Sequence, residues 1–270
     1  MSVPASGAPR SQGVEKMGLG AKAKGTLGGA GEVMEEYWRT AVAAALGDEY
    51  TQVASTSLAE MRLSVWARRG VAGRISEVET AKEATGIGGV VGNKGGLVVK
   101  LQVDGTTLCF VSSHLAAHEG EKKAVKRNAD VAEILRNTRV GRQPWLDCSL
   151  QFDHCFWLGD LNYRVDLQQL DGVERSEVEH REEVLAIIGR KEWAVIQDAD
   201  QLHRELVDDR VLAGFVEGKP DFPPTFKVRP ALTASAHLPL RCLHLAGARR
   251  LHEPHPAEPQ SPQSVPPPQL

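Results

Sequence analysis

The chain is 270 residues and 29.3 kDa, and its 32 Lys+Arg against 35 Asp+Glu give a formal net charge of −3. That balance excludes a protein held to nucleic acid by bulk positive charge, and 41% hydrophobic with 25% charged residues is the composition of an ordinary globular protein. No run of about 18 apolar residues and no apolar N-terminal signal stretch is visible, so neither a transmembrane helix nor a secretory signal is expected. The four cysteines, Cys109, Cys148, Cys155 and Cys242, lack CxxC spacing. Neither a zinc site nor a disulfide framework is therefore expected, and a reducing, cytoplasmic location is.

In chain order, residues 1–31 are Gly-, Ala-, Ser- and Lys-rich, show no usable period, and read as a disordered leader. Glu32 to Leu46 suits a helix, with acidic residues in its first turn and Gly47 just past its end. Tyr50 to Ser55 and Met61 to Ala67 alternate apolar and polar, as half-buried strands do. Leu97 to Val103 and Leu108 to Ser112 are β-rich runs joined by the hairpin signal Asp104-Gly105. Glu119 to Arg139 is expected as a helix with Val131, Ile134 and Leu135 on one face. His154 to Leu158 is a short buried-type strand, residues 173–213 read as two or three helices, and the Pro-rich segment from Pro254 cannot build a core. The folded part is expected between Glu32 and Arg229, as α/β or α+β with an antiparallel middle.

Four segments carry chemistry. In Phe156-Trp157-Leu158-Gly159-Asp160-Leu161-Asn162-Tyr163-Arg164 an apolar strand runs into Gly-Asp-x-Asn. Asp160 is placed to orient or deprotonate a water or to help hold a divalent ion, Asn162 to meet a metal or phosphate oxygen, and Arg164 to offer a planar fork to phosphate. The same letters alone also describe an Asx turn closing a strand. Ser112-Ser113-His114-Leu115-Ala116-Ala117-His118 ends another strand with an imidazole suited to a phosphoryl oxygen, or to a local backbone partner. Thr85 to Gly96, TGIGGVVGNKGG, is a glycine-rich loop that brings Asn93 and Lys94 near a ligand or simply turns a hairpin; it is not a Walker A motif. Phe222-Pro223-Pro224-Thr225-Phe226-Lys227 is an extended approach ending in a cation.

In this order the segments, together with Arg127-Asn128 and Asp200 to Leu202, resemble the inositol polyphosphate 5-phosphatases of the endonuclease/exonuclease/phosphatase superfamily. The resemblance spans roughly Glu35 to Lys227. It implies a two-sheet α/β sandwich flanked by helices, and Mg²⁺-dependent hydrolysis of the 5-phosphate of inositol phosphates and phosphoinositides. By motif match Asp160 resembles the residue that activates the attacking water and contributes to the metal site. Asn162 resembles the residue at the scissile phosphate, and His114 the one that stabilises the transferring phosphoryl group. Arg164, Lys94, Asn93, Asn128 and Lys227 match substrate-binding positions, Lys227 in the segment that reads the 4-phosphate. The implied partner is an inositol phosphate or phosphoinositide, with membrane contact peripheral and no nucleic acid; oligomeric state is not legible.

The family pattern also has an Asn-bearing strand and a Gln-Glu strand, whose Glu is the main Mg²⁺ ligand, before the helix that here holds Glu35 and Glu36. It has Trp-Cys-Asp-Arg and Ser-Asp-His segments after FPPTFK. Neither pair is found. Residues 230–270 read as a non-family, Pro-rich disordered tail of the kind an altered reading frame or retained intron gives. Phe226 replaces a frequent Tyr. The catalytic domain is thus expected to be incomplete at both ends, and this chain to be inactive or nearly so. A catalytically dead isoform with at most a binding role is the alternative. A nuclease is disfavoured by the net charge and by the long FWLGDLNYR match.

Overall fold

The computed structural model describes residues 20–85, 93–143, 145–223 and 248–249, with side chains from 33 to 223. Two compact units divide at Tyr50. The first holds helix α1 (Gly20–Leu46). It begins twelve residues before the expected start, so part of the segment expected as a disordered leader is helical. Glu36, on the helix that in the family pattern follows the metal-ligand strand, is paired within the helix to Arg39.

The second unit carries the core. A hairpin, β1 (Tyr50–Leu58) and β2 (Met61–Arg68), forms a two-stranded sheet, followed by the single turn α2 (Arg69–Ala72). The main sheet orders β3 (Ile75–Ala84), β4 (Gly95–Val103), β5 (Thr106–His114), β6 (His154–Asp160) and β7 (Ala248–Arg249) side by side. β3–β4 and β4–β5 are antiparallel, β5–β6 is parallel, and β7 pairs antiparallel with β6. Ala248 and Arg249 thus form strand inside the segment expected as a disordered tail. The parallel pair needs a crossover, supplied by α3 (Glu121–Asn137) and the connection that follows it.

β4 is buried from Gly95 to Leu101 because both of its faces are covered. Leu97 and Val99 pack with Ala54, Met61 and Leu63 of the hairpin. Val98 faces the other way, with Val111, Trp157 and the Val131 and Ile134 stripe of α3. The layers are hairpin, sheet and helices: a mixed α/β sandwich, as the resemblance implied. α4 (Leu167–Asp171), α5 (Glu177–Gly189), α6 (Trp193–Asp198) and α7 (Gln201–Val207) complete the unit. α5 opens on a capping box in which Ser176 and Glu179 satisfy each other's backbone N–H groups. No helix among the described residues is long and apolar enough to cross a membrane.

Candidate active site

Three of the chemistry-bearing segments meet, through Lys94, His114 and Asp160, at the carboxyl ends of β5 and β6, where ligands bind in open α/β sheets. His114 and Asp160 are direct partners in the parallel register. His114 Nε2 lies 3.3 Å from Asp160 Oδ2, and both side chains are partly open, at 25% and 32% exposure. Lys94, one residue before β4, brings its ammonium onto the same Nε2. Nε2 has one site, so it either accepts from Lys94 or donates to Asp160; the trio therefore has alternative proton arrangements. A cation, an imidazole and a carboxylate share one opening.

The register depends on Gly159. Its φ is +121°, and a Cβ there would fall against the Ser113 carbonyl oxygen and 2.8 Å from the Ser113 nitrogen. Ser113 is buried, and its hydroxyl accepts from Trp157 Nε1 at 2.9 Å. This contact fastens β5 to β6 one residue before His114.

Asn162, expected at the phosphate, is fully buried. Its backbone stands at φ +58°, a region Asn tolerates better than most residues. Nδ2 donates to the Leu115 carbonyl at 3.0 Å, and Oδ1 accepts from Arg164 Nη2 at 3.2 Å. Arg164, expected to offer its fork to phosphate, is 2% exposed and turned inward onto Asn162. Both side chains shape the loop after Asp160 from beneath.

Asn128 is likewise engaged by the protein: Nδ2 donates to Glu205 at 2.6 Å and Oδ1 accepts from the Tyr163 hydroxyl at 2.5 Å. Burial pushes the Tyr163 hydroxyl above its usual range, so it remains a donor. Asn93 is exposed beside Lys94. Residues 86–92 of the glycine-rich loop, and Lys227 with most of its segment, lie outside the described residues.

Sequence reading named Arg127 and Gln201 only within matched motifs and missed how they support the site from beneath. Arg127 is fully buried, its guanidinium stacks 5.0 Å from the Tyr163 ring centre, and Nη2 donates to Gln201 Oε1 at 2.6 Å. The same Oε1 accepts from the Arg164 backbone N–H at 3.1 Å. Burial lowers the Arg127 pKa, only partly opposed by the nearby carboxylates of Asp130 and Glu205. The signal available was a charged residue on the apolar face of α3.

The chain matches the family model described as Endonuclease/Exonuclease/phosphatase family 2 over residues 16–235. It is 38% identical over 194 residues to phosphatidylinositol 3,4,5-trisphosphate 5-phosphatase 2B of Danio rerio, covering 71% of this chain and 15% of that protein. It is 37% identical over 186 residues to type I inositol polyphosphate 5-phosphatase 5 of Arabidopsis thaliana, covering 66% and 32%. Among solved structures it resembles the inositol polyphosphate 5-phosphatase domain of SPsynaptojanin in complex with inositol (1,4)-bisphosphate and calcium, with TM-score 0.61 and 26% identity over 75% of this chain and 55% of that one. The chain therefore spans a third or less of these two curated relatives. Family model, curated relatives and fold agree with the ordered motifs, and the chain belongs to the inositol polyphosphate 5-phosphatase family of the endonuclease/exonuclease/phosphatase superfamily.

Proposed function

We propose that the site hydrolyses the 5-phosphate of an inositol polyphosphate or phosphoinositide by attack of water. The observation that carries this reading is the His114–Asp160 pair at the carboxyl ends of two parallel strands, with the Lys94 ammonium on the same imidazole. Lys94 and His114 neutralise and donate to the phosphoryl oxygens as charge builds on them. Asp160 orients the attacking water and takes its proton. Asn162 and Arg164 fix the Asp160 loop; direct contact of Asn162 with phosphate requires its amide to leave Leu115 or Arg164.

The family and the calcium-bound relative point to a divalent metal ion; Mg²⁺ is our assignment. Among the described residues no group of three His, Asp or Glu side chains converges on Asp160. The residues present fit Mg²⁺ as an ion shared with substrate, since Mg²⁺ keeps several waters and takes one or two carboxylates plus phosphate oxygens. Asp160 would hold it, and it would supply positive charge to the phosphoryl group. With so few protein ligands the expected rate is low. A chain that binds the phosphate ester without turning it over is the second reading, favoured by that sparse ligand set. We place the chain in the cytoplasm, meeting lipid substrates by peripheral contact.

The test is phosphate release from a soluble inositol polyphosphate and from phosphoinositide vesicles, with Mg²⁺ and with EDTA, beside equilibrium binding. Release that needs Mg²⁺ and falls in Asp160→Ala supports the first reading. Binding without release supports the second. Absence of both overturns them.

A further inference from the structure

The fold gathers three cysteines that sequence spacing left apart. Cys109 and Cys155 are direct partners in the parallel β5–β6 register, and Cys148 comes from the connection between α3 and β6. All three are free and buried, at 0%, 0% and 1% exposure. Their sulfurs lie within 4.8 Å of one another. They belong to the apolar cluster that holds Val111, Val140, Phe152 and Trp157. Sequence spacing gave no sign of this cluster, because strand pairing rather than sequence proximity brings Cys109 beside Cys155. The fourth cysteine, Cys242, lies outside the described residues.

We infer that Cys109, Cys148 and Cys155 form a binding site for a single three-coordinate, trivalent thiophilic ion, of which arsenic(III) is the representative. Geometry, coordination number and charge point the same way. In a pyramidal tris-thiolate with bonds of about 2.3 Å to sulfur the sulfurs stand about 3.3–3.5 Å apart, so closing this cluster on one ion moves each sulfur by about 1 Å or less. Among the described residues no histidine or carboxylate joins the three sulfurs, and an apolar shell offers no water to complete a tetrahedron. Zn²⁺, which takes four ligands in structural sites, is thereby disfavoured. Charge decides among the rest. Three thiolates around Cu⁺ leave two negative charges in the core and around Zn²⁺ leave one, and buried unpaired charge is costly. Around a trivalent ion the complex is neutral.

The step balances without an oxidant. Arsenous acid and three thiols give the tris-thiolate and three waters: three As–O and three S–H bonds break, three As–S and three O–H bonds form, and arsenic stays trivalent. Ions enter a buried cluster through local opening of the surrounding chain. Cys109 and Cys155 each sit five residues before His114 and Asp160 on the same strands. The bound ion would thus fasten β5 to β6 at the end away from the catalytic pair.

The experiment uses the full reduced chain with sodium arsenite. Intact-mass measurement is expected to show one arsenic gained and three hydrogens lost per chain. Arsenic X-ray absorption is expected to show three sulfur neighbours, with Cys242 still open to alkylation. Cys242→Ser should leave the uptake unchanged, and Cys148→Ala should weaken it at least tenfold. No uptake, an arsenic with two sulfur neighbours, uptake that requires Cys242, or Zn²⁺ displacing arsenic at equal concentration overturns the inference. The absorption measurement on the unsubstituted chain decides even where a cysteine variant fails to fold.

Discussion

Gln201 holds Arg164 at both ends of its peptide backbone: its N–H donates to the Arg164 carbonyl at 2.9 Å, and its side-chain Oε1 accepts from the Arg164 N–H at 3.1 Å. That Oε1 also takes the Nη2 donor of buried Arg127. One side chain on the first turn of α7 therefore ties the site loop to α3. Gln201→Ala strands two buried donors, one of them charged, and each unsatisfied group costs about 1–3 kcal/mol. We expect a loss of about 2 kcal/mol or more by urea unfolding; a change under 0.5 kcal/mol would mean that water replaces the amide.

Gly159→Ala should be more damaging. Its Cβ would press on the Ser113 backbone at φ +121°, where the strands bring His114 beside Asp160, and strained backbone plus overpacking costs about 3 kcal/mol or more. Gly172 is the control: its φ is +73°, but nothing lies within 4 Å of a Cβ there, so Gly172→Ala should cost only about 1–2 kcal/mol. Equal midpoints for the two variants would show that the close approach at Gly159 is relieved by sliding of the strands.

Asp160→Ala is expected to lower any Mg²⁺-dependent phosphate release by a factor on the order of 10² or more, because it deletes the group proposed to handle the water's proton. His114→Ala should lower kcat more than it raises KM, since its donor meets charge that grows in the transition state. A raised KM alone would reduce His114 to a ground-state contact. Both variants replace half-open side chains, so thermal midpoints close to that of the parent chain should accompany the kinetic losses.

Stability should respond to His180 between neutral pH and pH 5.5. Burial lowers its pKa from the ordinary 6.5, with Asp166 and Glu119 opposing, and its neutral Nε2 accepts from the Leu167 N–H at 3.4 Å. A histidine with a depressed folded pKa binds its proton more readily when unfolded, so stability is present above 6.5 and falls as pH drops toward the folded value. The urea midpoint is expected to fall from pH 7.5 to 5.5, and to fall less in His180→Gln, which keeps an acceptor without the titration. Parallel declines in the two proteins would assign the loss to carboxylates.

Local signals in the sequence were enough for most elements. The Asp104-Gly105 turn and its flanking apolar runs specify the β4–β5 hairpin, and the Val131, Ile134 stripe specifies the buried face of α3, because periodicity reports which side of an element leaves water. FWLGDLNYR likewise marked a strand ending in a turn, and with the other ordered motifs it marked the family. What those letters could not fix is which way a side chain points once the loop closes. Arg164 and Asn162 look outward on a motif reading, but the positive φ at Asn162 and the grip of Gln201 turn them inward.

Pairing between distant segments belonged to the tertiary structure alone. His114 and Asp160 are 46 residues apart, as are Cys109 and Cys155, and both pairs come from one parallel register. That register carries no turn signal, because a parallel pair is joined by a crossover rather than a hairpin. Packing of α3 across the sheet and the backbone contact at Gly159 fix it instead. The sequence by itself determined most of the elements and the family, and named the candidate reacting groups. Their distances, and the gathering of three separate thiols in one core, were decided only when the chain closed on itself.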